Sequence, residues 1–133
     1  DVIIWDTSHQ SYVHKLLTGR WKEFKNIRKK AGISGYTNIF ESDADKFGAG
    51  HAGTAIAAAL GFFLSDKLKK RKRDIVAIVG DGALGCGMTL ESLNQLNYQG
   101  ANVKIVLNDN EMAISKNVGA IAQLLNNFRV KKE

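Results

Sequence analysis

Two continuous apolar runs set the frame of this chain: "DIVAIVGD" over residues 74–81 and "NVKIVLND" over residues 102–109. Each is short, rich in Val and Ile, and breaks off in turn residues, as strands buried within a parallel sheet do. Between them, "MTLESLNQLNY" (88–98) carries Leu90, Leu93 and Leu96 near helical spacing, which predicts a strand–helix–strand unit. A third short run, "VIIW" (2–5), and a helix over "TAIAAALGFFLSDKLKK" (54–70) extend the alternation upstream. That helix is small on one face and bulky at Leu60, Phe63 and Leu64. Val118, Ile121, Leu124, Leu125 and Phe128 recur at threes and fours and predict a closing helix. The expected fold is α/β, a mostly parallel sheet with helices on both faces, in one domain over residues 1–133.

The first half of the chain is less regular. A polar, partly helical connector runs through "SYVHKLLTGRWKEF", followed by a Gly-rich irregular stretch near residues 31–50. There are no prolines, repeats or low-complexity segments to divide the chain. It opens at Asp1 already inside an apolar segment, which reads as a fragment of a longer protein. No apolar run reaches the roughly 18 to 20 residues that span a membrane. The single cysteine, Cys86, excludes an intramolecular disulfide and suits a reducing compartment.

The net charge of +6 points at first to nucleic acid, but its distribution argues against that. "KLKKRKR" (67–73) holds six basic residues and no acid, and the rest of the chain is neutral. A basic run without interleaved aromatics, placed where a helix ends, reads as a solvated surface segment. Neither nucleic acid nor a membrane is an expected partner.

The chemistry is concentrated in "IVGDGALGCGM" (78–88), where Gly80, Gly82 and Gly85 have the dinucleotide-turn spacing G-x-G-x-x-G. A dinucleotide turn binds pyrophosphate on bare N–H groups, and Asp81 between the glycines would repel it. A divalent cation between carboxylate and phosphate removes the conflict, and Mg2+ takes such oxygen ligands. Asn110, in "LNDNEM" at the end of the next strand, offers an amide oxygen, and Met112 a backbone carbonyl. Asp81, Asn110 and Met112 are therefore the candidate metal ligands, with Asn108 a rival from the same segment. Gly82 lets the main chain approach a diphosphate, and Ala83 offers an N–H at a helix start. As a bland alternative, Asp81 is a turn acid favouring the following helix.

A "GDG" at a strand end followed about thirty residues later by an asparagine resembles the thiamine diphosphate signature. The wider chain resembles one branch of that superfamily, the 1-deoxy-D-xylulose-5-phosphate synthases. The resemblance is carried by "IIWDTSHQSYVHKLLTGR" (3–20), "GISGY" (32–36), "ESDADKFGAGHAGT" (41–54), "GDGAL" (80–84) and "NDNEMAIS" (108–115). It implies thiamine diphosphate and Mg2+ as cofactors and condensation of pyruvate with D-glyceraldehyde 3-phosphate, releasing CO2. That reaction opens non-mevalonate isoprenoid synthesis and feeds thiamine synthesis. A homodimer, in a bacterial cytoplasm or a plastid, is also implied. On the same ground His9 takes an active-site role, as proton carrier or cofactor contact. The resemblance also implies that Gly50, His51 and Ala52 lie against the cofactor, as Gly82, Ala83 and Asn110 are expected to. The glutamate that activates the aminopyrimidine lies beyond residue 133, so the piece alone is expected to be inactive. The chain departs from the family pattern at Ser8, where the motif has glycine, at Val13, at Ala52-Gly53 and after Leu84. His14 is the weaker histidine candidate, and Cys86 reads as a small packing residue. The rival readings are a different thiamine enzyme such as transketolase and, more remotely, an NAD-binding Rossmann domain or a basic nucleic-acid module.

Overall fold

The computed structural model of the chain describes residues 1–8, 11–108, 118–120, 123, 124 and 127. Three parallel strands, β1 (Val2–Trp5), β2 (Ile75–Gly80) and β3 (Lys104–Asn108), lie in the order β1-β2-β3. The register pairs Val2 with Ile75, Ile4 with Ala77, and Gly80 with Asn108. A short helix, α1 (Tyr12–Lys15), continues into a π-helical turn over Leu16–Arg20, broken at Gly19 with φ +96°. A 3-10 turn covers Glu23–Asn26. Helix α2 (Ala55–Leu68) connects towards β2, and α3 (Asp81–Leu84) and α4 (Gly87–Tyr98) lie between β2 and β3. The α/β class and the parallel sheet agree with the sequence reading. The expected closing helix falls largely outside the described residues, though Ala120, Gln123, Leu124 and Asn127 are helical.

The core explains why these segments hold together. Val2 and Ile4 of β1 and Ile75, Ala77 and Val79 of β2 point to one face and are buried against Ala55, Ile56 and Ala59 of α2. Each fully buried Val or Ile contributes about 1.5–3 kcal/mol. The small face of α2 is the one that packs, which lets helix and sheet approach closely. Helix α4 packs in turn on α2, burying Thr89, Ser92 and Leu96. On the opposite face α1 meets the sheet where the His14 ring lies 5.7 Å from that of Trp5. Elsewhere on that face Ile3 and Val106 remain partly exposed.

At the amino edge of the sheet the basic run is tied down at one end. Arg73 grips Asp66 with two bonds, Nε to Oδ2 at 2.6 Å and Nη2 to Oδ1 at 3.0 Å. That pairing holds the Asp66 carboxyl below its ordinary range. Lys67, Lys69, Lys70, Arg71 and Lys72 are exposed, as expected of a solvated segment.

The irregular connector, residues 11–53, is organised by charge rather than apolar packing. Lys15 is fully buried and donates to Glu41 Oε2 at 2.7 Å. Arg20 forks onto Asp45, Nη1 to Oδ2 at 2.6 Å and Nη2 to Oδ1 at 2.9 Å. His14 Nε2–H donates to Asp45 Oδ1 at 3.0 Å, and the Asn38 N–H to Oδ2 at 2.8 Å. Two cations face two carboxylates, so the buried set is balanced in charge. Burial alone would raise the Asp45 carboxyl, but the bonds from His14, Arg20 and Asn38 hold it well below the usual carboxylate range.

Candidate functional site

The carboxyl ends of the three strands share one edge, the edge at which open parallel sheets bind ligands. β1 stops two rows short of β2, because Trp5 is level with Ile78 while β2 runs on to Gly80. Asp6, Thr7 and Ser8 fill that step. The Asp6 carboxylate is buried and accepts the N–H groups of Gly53 at 2.8 Å and Ala55 at 2.9 Å. Those donors open α2, so an acid just past the end of β1 caps a helix that starts 49 residues later.

From β2 the chain passes through extended Gly80 (φ −77°, ψ 156°) straight into α3, with Asp81 in its first turn. Asp81 is half-buried, Gly82 is exposed and Ala83 is buried. The Thr89 hydroxyl donates to the Ala83 carbonyl at 2.9 Å and fixes α3 against α4. A Cβ placed on Gly82 would meet no atom of the described residues within 4 Å, as at Gly80, Gly85 and Gly87, and its φ is not left-handed. Nothing among the described residues therefore demands glycine there. That fits a glycine kept for the approach of a ligand.

The Gly50–Ala52 tripeptide stands on the same edge. His51 and Ala52 are exposed, and Gly50 has φ +134°. The next residue, Gly53, has φ +85°, and a Cβ there would lie 2.6 Å from Cys86 Cβ. Through this contact the structure brings the tripeptide's segment against the Asp81–Gly85 turn, which the sequence holds about thirty residues away. Cys86 is the packing residue expected of it. His14 bonds Asp45 within the connector and packs on Trp5 of β1.

Three candidates, His9, Asn110 and Met112, lie outside the described residues. Asn108, the rival ligand, ends β3 level with Gly80. Among the described residues no group of three His, Cys, Asp or Glu side chains is gathered for a metal. No described helix is long and apolar enough to cross a membrane. Sequence reasoning gave no positioning role to Asp6, Ser8, Thr37 or Asp45, whose hydrogen bonds tie the connector and the start of α2 together. Their signal was faint: single polar residues inside segments read as connectors.

Comparison with known proteins gives the family of the chain. The family model described as 1-deoxy-D-xylulose-5-phosphate synthase matches residues 1–133. The chain is 54% identical over 129 residues to the 1-deoxy-D-xylulose-5-phosphate synthase of Dictyoglomus thermophilum, covering 97% of this chain and 21% of that protein. It is 52% identical over 129 residues to that of Desulfitobacterium hafniense, covering 97% of this chain and 20% of the relative. With the Thermosynechococcus vestitus enzyme of that name it shares 51% identity over 134 aligned positions, covering 100% of this chain and 21% of the other. The chain thus spans about a fifth of the length of these relatives. With the family model matched from end to end, this chain belongs to the 1-deoxy-D-xylulose-5-phosphate synthase family.

Proposed function

We propose that the chain supplies the diphosphate- and Mg2+-binding part of a thiamine diphosphate enzyme. The whole protein would condense pyruvate with D-glyceraldehyde 3-phosphate, release CO2 and form 1-deoxy-D-xylulose 5-phosphate. The observation that carries this reading is the turn at Gly82, next to Asp81 on the ligand-binding edge, with the Gly50–Ala52 segment packed alongside. A carboxylate between glycines at a helix start fits a diphosphate held through a cation better than one held on bare amides.

When bound, thiamine diphosphate supplies the carbon nucleophile and electron sink that decarboxylation of a 2-oxo acid needs. The chain's own residues supply position and charge. Asp81, the Asn110 amide oxygen and the Met112 carbonyl would hold Mg2+, with Asp81 giving the anionic ligand. Gly82 and Ala83 would line the diphosphate. Gly50, His51 and Ala52 would border the cofactor from the neighbouring segment. His9, which follows Ser8 at the end of β1, would carry a proton or a cofactor hydrogen bond. The activating carboxylate for the aminopyrimidine would come from outside residues 1–133, within a homodimer in a bacterial cytoplasm. The family resemblance and the bacterial relatives support these assignments.

The test uses the full-length protein stripped of cofactor. Formation of deoxyxylulose phosphate should require both thiamine diphosphate and Mg2+, and Asp81→Ala should lower kcat/KM by at least a hundredfold. Turnover without either addition, or an Asp81→Ala variant of parental activity, would overturn the metal role. Thiamine-dependent turnover of sugar phosphates in place of pyruvate would overturn the substrate assignment alone.

A further inference from the structure

The Gly50–Ala52 tripeptide is held on both flanks by residues from the step at the end of β1. On its C-terminal side the Asp6 carboxylate takes the N–H groups of Gly53 and Ala55. On its N-terminal side the hold is indirect and passes through Thr37. The Ser8 hydroxyl oxygen accepts the Thr37 N–H at 2.9 Å. Thr37 in turn donates its hydroxyl to the Phe47 carbonyl at 3.0 Å, and its own carbonyl accepts the Ala49 N–H at 3.1 Å. Ala49 is the residue before Gly50.

Ser8, which stands where the family motif has glycine, makes this bond from an unusual conformation. It is fully buried and its φ is +75°, a left-handed conformation that favours glycine and strains a residue bearing a Cβ. Glycine there would relieve the strain but could not accept the Thr37 N–H. The carbonyl of Ser8 accepts both the N–H of Ser11, at 3.0 Å, and its hydroxyl, at 2.6 Å. The strained residue is thereby locked from the other side.

We propose that Ser8 and Thr37 form a positioning clamp that, together with Asp6, sets the Gly50–Ala52 segment for the cofactor. This rests on the reading of that segment as a cofactor contact. Neither Ser8 nor Thr37 touches the reacting atoms, and the clamp acts on binding. The structure separates the clamp from mere stability, because two substitutions at Ser8 lose the same bond with different effects on strain. Ser8→Ala loses the hydroxyl and keeps the strained backbone. Ser8→Gly loses the hydroxyl and relieves the strain, so its fold should be the more stable of the two.

The experiment measures thiamine diphosphate binding to full-length protein by titration calorimetry at saturating Mg2+, with Tm and steady-state kinetics on the same samples. Both variants should bind about tenfold more weakly, by the same factor, although their Tm values differ. KM for thiamine diphosphate should rise in parallel, with kcat at saturating cofactor changed less than threefold. Affinity that follows Tm, weakened in Ser8→Ala but parental in Ser8→Gly, would assign Ser8 to stability alone and overturn the clamp. Unchanged affinity in both would overturn it too. A parent protein that binds no thiamine diphosphate would overturn the functional reading beneath it, a result distinct from either of these.

Discussion

Asp45→Asn tests whether the connector is built on charge. The substitution keeps the shape of the side chain and removes one negative charge from a site with no solvent access. In the parent, Asp45 receives two bonds from Arg20 (2.6 and 2.9 Å), one from His14 (3.0 Å) and one from the Asn38 N–H (2.8 Å). The variant leaves Arg20, itself buried, with Glu41 as its nearest counter-charge at 3.5 Å. Breaking a buried pair from one side costs about 3–5 kcal/mol. The remaining Glu41 contact places the expected loss near the lower limit, about 3 kcal/mol. In hydrogen exchange read by mass spectrometry, peptides from residues 34–50 should then exchange about a hundredfold faster.

Two controls make the argument refutable. If the cost is an orphaned charge, adding Arg20→Met to Asp45→Asn should recover part of it. A double variant as unprotected as the sum of its two singles would show that the contacts matter and the charge balance does not. The second control is pH. The Asp45 carboxyl is held below its unfolded value of about 3.9, so its contribution is complete above that pH and fades as pH falls below it. The parent should lose protection over residues 34–50 on acidification below about pH 4, and Asp45→Asn should show a flatter dependence there. Parallel acid profiles in parent and variant would refute the assignment.

Two further outcomes follow from the rim. Gly53→Ala would place a Cβ 2.6 Å from Cys86 Cβ at φ +85°, so strain and overpacking should together cost about 2–4 kcal/mol, read as a lower Tm of the full-length protein. The companion Cys86→Gly should recover part of that loss. Asp6→Asn keeps one acceptor oxygen for the Gly53 or Ala55 N–H but loses the charge at the start of α2, which should cost about 1–2 kcal/mol. Faster exchange should be confined to the first turn of α2, and unchanged protection there would refute the long-range cap.

Much of the fold was legible because its information is local. The run over residues 74–81 contains β2 and the run over 102–109 contains β3, each within two residues at either end. "VIIW" is β1 itself. The helix expected over 54–70 is α2 within two residues at each end, and that over 88–98 is α4 with Gly87 added. In each case the apolar spacing needed to bury one face is written within the segment. The connector had no such period, because Lys15, Arg20, Glu41 and Asp45 replace apolar residues as its interior. A composition-based reading takes charged residues in an aperiodic stretch as solvated, and here two of the most polar side chains, Lys15 and Asp45, are fully enclosed.

The site divides along the same line. Asp81 and Gly82 stood out because a carboxylate between glycines at a strand end is a local contradiction that needs a cation to resolve it. Asp6 shows no contradiction in its own neighbourhood. Its meaning appears only when β1 and β2 pair in parallel, which ends β1 two rows early and carries Asp6 under the start of α2. Ser8 and Thr37 are a further step removed, since their bond joins two aperiodic segments 29 residues apart. Residues that contact a ligand are constrained by its chemistry and can be inferred from residue type and spacing. Residues that position them are constrained by the register of the sheet, and they become visible only once that register is known.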